Sequence, residues 1–148
     1  LSARHEALLD LFIEQTVGPY LGTAIQMAFM MGVGTGLPAE AMVLEMYMSG
    51  EMSRTFQAFA DVGFMESVGG HGAVAQYGGF IRTLEVDREG MHRMFGAVLE
   101  DIRSGGFARR FQEEHAAGHP TLEAINAVKA SGSLMTDAER RVRAALGA

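Results

Sequence analysis

DIRSGGFARRFQEEHAAGHP, residues 101–120, contains two interruptions, Ser104-Gly105-Gly106 and Ala117-Gly118-His119-Pro120, set between stretches of helical character. Glycine pairs and a Gly-x-Pro step end helices because they supply conformations, or withhold N–H groups, that a continuing helix does not tolerate. The pattern predicts helices over 87–103, 106–117 and 120–131. A last helix follows over 136–146 after Ser131-Gly132-Ser133, with Thr136 and Glu139 as a capping box. His115 and His119 stand four apart and would chelate a metal on one continuous helix, but Gly118 and Pro120 end it, so helix-end capping is the expected role.

Upstream the periodicity stays helical, which makes the chain all-α. A first helix is expected over 2–17, with Ser2 as N-cap near Glu6 and an apolar set of Leu8, Leu9, Leu11 and Phe12. Gly18-Pro19 should punctuate it, and a second helix over 20–33, apolar almost all round, should be buried on several sides. After GVGTGLP a long helix over 38–62 carries Met48, Met52, Phe56 and Phe59 as a stripe for the core or a subunit interface. Residues 67–79, SVGGHGAVAQYGG, are the least helical stretch, a loop of the kind that carries function. No repeat, low-complexity tract or long linker appears, and residues 1–148 are expected to form one domain.

With 48% apolar residues the chain is expected to fold. A net charge of −6 with dispersed basic residues argues against a broad nucleic-acid surface. The absence of cysteine removes disulfides, thiolate ligands and cysteine nucleophiles, so any metal must rest on oxygen or imidazole. The apolar run at 24–37 is too short and too glycine-rich for a membrane span. The chain starts at Leu1 with no signal pattern and is expected to be cytoplasmic and part of something longer.

GVGTG lacks the spacing and the downstream acid of a dinucleotide site, and no phosphate-loop lysine, G-x-S-x-G or H-E-x-x-H is present. The remaining candidates are carboxylates and one histidine. Asp10 and Glu14 share a helix face, which is either a solvated edge or a divalent-cation pair. Glu45 lies on the Met48 stripe, and Glu51 reaches the same site only if Gly50 interrupts the helix. An acid on an apolar stripe requires a partner, a raised pKa or a metal. His71, in the glycine-rich loop, is a proton donor, a ligand or simply an exposed side chain.

The order of these features resembles the C-terminal helical domain of ketol-acid reductoisomerase. DLFIEQTVG at 10–18 is similar to that family's DLFGEQ, AQYGGF at 75–80 to its AEYGDY, and residues 101–120 to DIQSGEFAREWxxENxAGxP. The resemblance implies a helical fold of the 6-phosphogluconate-dehydrogenase C-terminal type, forming an intertwined homodimer. It implies one or two Mg2+ ions on Asp10 and Glu14, completed by Glu51 and, with a local shift, Glu45 from a partner subunit; Glu51 and, from its place in the loop, His71 are the candidate catalytic residues. It also implies a small 2-keto or 2-hydroxy acid substrate, and NADPH or NADH carried by a separate nucleotide-binding domain, with no nucleic-acid or membrane partner.

Three positions depart from the family pattern. Tyr47 stands where the first later glutamate falls, Gly72 where a substrate-contacting serine falls, and Gln76 replaces the acid of AEYG. Losing one carboxylate at Tyr47 should weaken the second Mg2+ site more than the first. A divergent oxidoreductase acting on another substrate and a non-catalytic dimerisation module are therefore the two competing expectations.

Overall fold

The computed structural model describes residues 1–147, and those residues form helices and turns with no strand. The elements are α1 (Ala3–Gly34), α2 (Ala39–Val43), α3 (Glu51–Val62), α4 (Ala73–Glu85), α5 (Arg88–Arg103), α6 (Gly106–Ala116), α7 (Pro120–Ala130) and α8 (Leu134–Leu146). A π-helical turn, Leu44–Met48, follows α2 directly, and a 3-10 turn, Glu66–Gly70, precedes α4. Contacts gather these residues into two units. The first holds Leu1–Ala28 and Glu89–Thr136; the second holds Phe29–Arg88 and the stretch from Asp137 onward.

In the first unit, α1 runs unbroken through Gly18 and Pro19, where the sequence predicts a break. Proline removes the N–H that would reach the Gln15 carbonyl, at a cost of about 3 kcal/mol in a helix interior. Tertiary packing on both sides of the proline offsets that cost. Phe12, six residues before Gly18, and Tyr20, just after Pro19, both pack edge-on against Phe95 of α5, with ring centroids at 6.1 and 5.3 Å. Ser2 caps α1 as expected, its Oγ accepting from the His5 N–H at 3.3 Å.

The boundaries of α5, α6 and α7 agree with the sequence pattern. For α8 the capping residue is Ser133, whose Oγ accepts from the Thr136 N–H at 3.1 Å, so the helix starts two residues earlier than the Thr136 signal implies.

The second unit holds every buried apolar side chain among the described residues: Phe29, Ala39, Val43, Ala138 and Val142. Ala138 and Val142 sit four apart on α8 and therefore share one face. The Tyr47 hydroxyl donates to Glu139 Oε1 at 2.6 Å, and Arg141 pairs with Glu40. The predicted helix over 38–62 is three segments, because Gly50 takes a left-handed conformation, φ 80°, between the π turn and α3. The Met48 stripe therefore breaks before Met52. Phe56 and Phe59 instead cluster with Phe64, with neighbouring centroids at 5.4 and 5.0 Å.

The end of α1 is less enclosed than its composition predicts. Phe29 is 4% exposed, yet Met30 and Met31 are each 68% exposed. In the glycine-rich stretch only 66–72 is irregular, and AQYGGF lies within α4. Among the described residues no helix is long and apolar enough to cross a membrane.

Candidate functional site

The π turn and Gly50 re-aim the chain so that Glu51 is the first residue of α3. A π turn adds one residue to a helical turn and commonly marks functional sites. Ser49 Oγ accepts from the Glu51 N–H at 3.3 Å, and Arg54 Nη1 donates back to the Ser49 carbonyl at 3.4 Å. Glu51, Arg54, Thr55, Ala58, Ser67, Gly70 and His71 line a cavity of about 240 Å3. His71 also lines a second cavity, of about 320 Å3, with Val68, Ala75, Gln76, Gly79, Phe80 and Thr83. The larger cavity is the more apolar, and the smaller one holds the acid and the guanidinium.

Two of the predicted site residues, Glu51 and His71, thus meet in one cavity. Glu45 is exposed on the π turn, outside that lining. Asp10 and Glu14 are exposed on α1 and belong to the first unit. Neither makes a side-chain hydrogen bond or ion pair with another described residue. Among the described residues no three His, Asp or Glu side chains converge as a metal site.

The departures from the family pattern have local explanations. Tyr47 is engaged by Glu139. Burial first, then the hydrogen bond and charge of that carboxylate, push its phenol well above the ordinary range, with Arg143 opposing. Tyr47 is therefore a fixed hydrogen-bond donor. Gln76 Nε2 donates to the His71 carbonyl at 2.6 Å, a bond that an ionised acid at this position could not make. Gly72 has φ −64° and ψ 154°, which any residue adopts, so nothing in the backbone requires glycine there.

The pair His115 and His119 also differs from expectation. The helix does end between them, and His119 occupies the N-cap of α7 at φ 64°, yet its side chain caps nothing. The cap is Glu114, whose Oε1 accepts from the N–H groups of Thr121 and Leu122 at 2.7 and 3.2 Å. The left-handed turn instead brings His115 Nδ1 to 2.9 Å from His119 Nε2. His119 Nδ1 is buried without a partner. The two imidazoles are thus hydrogen-bonded to each other.

Sequence reasoning missed Arg54, Thr55 and Ser67. The available signal was the spacing Ser-Gly-x-x-x-Arg at 49–54, which recurs at 104–109.

Among the described residues the fold is all-helical, and the candidate carboxylates lie on two units, Asp10 and Glu14 on one and Glu45 and Glu51 on the other. The chain belongs to the ketol-acid reductoisomerase C-terminal domain family, whose model matches residues 4–147. It is 32% identical over 126 residues to a protein named putative ketol-acid reductoisomerase 3 from Saccharolobus solfataricus, covering 82% of this chain and 36% of that protein. It is 32% identical over 143 residues to the ketol-acid reductoisomerase (NADP(+)) of Sulfurisphaera tokodaii, covering 95% of this chain and 42% of that protein. The chain thus spans well under half the length of these relatives. A solved NADH-preferring ketol-acid reductoisomerase from an uncultured archaeon shares the fold, with a TM-score of 0.84 at 22% identity, over 97% of this chain and 43% of that one.

Proposed function

We propose that this domain, joined to a nucleotide-binding domain on the same or another chain, performs the reaction for which its family is named. In that reaction an alkyl group migrates in a 2-acetolactate-type acid, and NADPH or NADH from the other domain reduces the resulting 2-keto group. The observation that carries the proposal is the pair Asp10 and Glu14 on one exposed face of α1, free of other side-chain partners, within a family match over nearly the whole chain.

Asp10, Glu14 and Glu51 offer only carboxylate oxygens, the donor chemistry that Mg2+ takes. Bound there, a divalent cation supplies Lewis-acid polarisation of the substrate oxygens. The protein's own part is to hold the acids unpaired, to place Glu51 and His71 in one cavity, and to fix Tyr47 as a donor to Glu139. Glu45 is a candidate fourth ligand.

The site is completed by a second copy of the chain. Val74, Tyr77 and Leu84 of α4 are 88%, 70% and 80% exposed, a stripe at helical spacing that a homodimer would cover. Magnesium titration by calorimetry on the full-length protein tests the proposal. Saturable binding lost in Asp10→Asn, together with turnover of 2-hydroxy-2-methyl-3-oxobutanoate, is the expected result. Binding unchanged by that substitution, or no turnover with either cofactor, would overturn it.

A second reading, a related oxidoreductase with a different acid substrate, is favoured specifically by Gly72 and Gln76 at substrate-side positions and by Tyr47 at a metal-ligand position. Turnover of other 2-keto acids but not of this one would select it.

A further inference from the structure

Arg54 lies one turn along α3 from Glu51 and lines the same 240 Å3 cavity, with Thr55, Ser67 and His71. Its guanidinium offers five donors, and the structure engages one nitrogen, Nη1, toward the Ser49 carbonyl at 3.4 Å, the long limit of a hydrogen bond. No carboxylate among the described residues forms an ion pair with it; the pairs that do form involve Arg82, Arg93, Arg110, Arg140, Arg141 and Arg143. An anion entering a cavity that holds Glu51 is repelled unless a cation faces it, and Arg54 is the permanently charged basic group in that lining.

Ser67 cannot take this role, because its hydroxyl donates to the Phe64 carbonyl at 2.8 Å. At Gly72, where the family pattern implies a substrate-contacting serine, there is no side chain. Beyond His71 the second cavity presents Val68, Ala75 and Phe80, an apolar wall suited to an alkyl group.

We infer that Arg54 is the carboxylate-recognition residue of this site, binding the acid end of the substrate while the alkyl end points past His71 toward Phe80. The inference rests on the isomeroreductase reading for its substrate class. A guanidinium fork suits a carboxylate because two parallel N–H donors match its two oxygens, and a lysine reproduces the charge without that geometry.

The competing role for Arg54 is that of a strut across the Gly50 junction, and Arg109 provides the matched control. Arg109 Nη1 donates to the Ser104 carbonyl at 3.1 Å across Gly105 in the same Ser-Gly-x-x-x-Arg arrangement. The test uses full-length wild type, Arg54→Gln, Arg54→Lys and Arg109→Gln. Binding of 2-hydroxy-2-methyl-3-oxobutanoate and of its methyl ester is followed by calorimetry, and turnover of the acid is followed separately.

We expect Arg54→Gln to weaken the acid at least tenfold and the ester less than twofold, Arg54→Lys to fall between, and Arg109→Gln to match wild type for both ligands. Equal weakening of acid and ester in Arg54→Gln, or equal behaviour of Arg54→Gln and Arg109→Gln, would overturn the inference. Acid binding that depends on Arg54 without turnover would break the isomeroreductase reading and keep the inference. Failure of wild type to bind the acid would overturn both.

Discussion

The junctions at Ser49–Arg54 and Ser104–Arg109 are the same local device in two settings. Each has a left-handed glycine as N-cap, Gly50 at φ 80° and Gly105 at φ 76°, and an arginine four residues on that reaches back to the serine carbonyl. They differ in what precedes them. The Ser104 N–H bonds to the Glu100 carbonyl, four back, whereas the Ser49 N–H bonds to the Leu44 carbonyl, five back. That one extra residue is the π turn. One residue is 100° of helix, so the insertion turns the residues before it relative to α3 and gives Tyr47 to Glu139. A standard helix break is thereby converted into a site that presents Glu51 and Arg54.

The comparison is most sharply tested at the residue after each glycine, Glu51 in one junction and Gly106 in the other. Gly106 is buried, and a Cβ there would collide with the Asp101 carboxylate, which Arg110 holds, and press on the Asp101 carbonyl at 3.3 Å. Gly106→Ala should cost about 2–3 kcal/mol in urea denaturation, because overpacking against a pinned neighbour has that size. Glu51→Ala, at the equivalent open position, should stay within about 0.5 kcal/mol. Similar values for the two would show that the junctions are not distinguished by packing.

Next in size, Gly50→Ala and Gly105→Ala should each cost about 1–2 kcal/mol, the penalty of a left-handed conformation with a Cβ. Unequal losses would show that one glycine is not holding the conformation seen.

Tyr47→Phe should cost about 1 kcal/mol through its lost bond to Glu139, measured by thermal unfolding. No change would mean that this link does not secure the first junction.

The second junction is secured by charge. Hydrogen bonding from Arg110, then the charges of Arg110 and Arg109, hold the Asp101 carboxyl below its ordinary value against a desolvation that raises it. A folded pKa below the unfolded one gives stability that is present above the unfolded pKa, near 3.8, and lost as pH falls through the folded one. Asp101→Asn should therefore flatten the acid limb of the stability profile below about pH 4, the unfolded carboxylate range.

A small effect is also expected for Arg109→Gln, under about 1 kcal/mol, since an exposed side chain contributes little across solvent. A larger loss in an unfolding titration would make the strut structural in its own right.

Much of the helical plan was legible from residue types alone. Ser2, Ser104-Gly105-Gly106 and Gly118-Pro120 are local signals, and the chain obeys them. Pro19 is a local signal too, and it was overruled by Phe95, which lies far along the sequence.

At the site, the dependence on Gly50 was visible as a condition for Glu45 and Glu51 to share a site; the helix is interrupted there, yet Glu45 stays outside the lining that Glu51 shares with His71. The link from Tyr47 to Glu139 crosses some ninety residues, so no window of sequence could show it. The contact between His115 and His119 depends on a non-glycine residue at φ 64°, a conformation that spacing does not reveal.

The arrangement of α1 bears on how the molecule is made. Its first part belongs to a unit whose remaining residues begin at Glu89, so the Phe29–Arg88 part of the second unit is synthesised before α1 meets its packing partner. Phe12 waits for Phe95, and closing a loop of about eighty residues costs entropy before any contact repays it. During that interval α1 carries an interior proline without the ring that steadies it, and an isolated helix with such a gap is marginal in water. The carboxylates Asp10 and Glu14, on the same part of α1, thus leave the ribosome well before the α5 ring that steadies their helix.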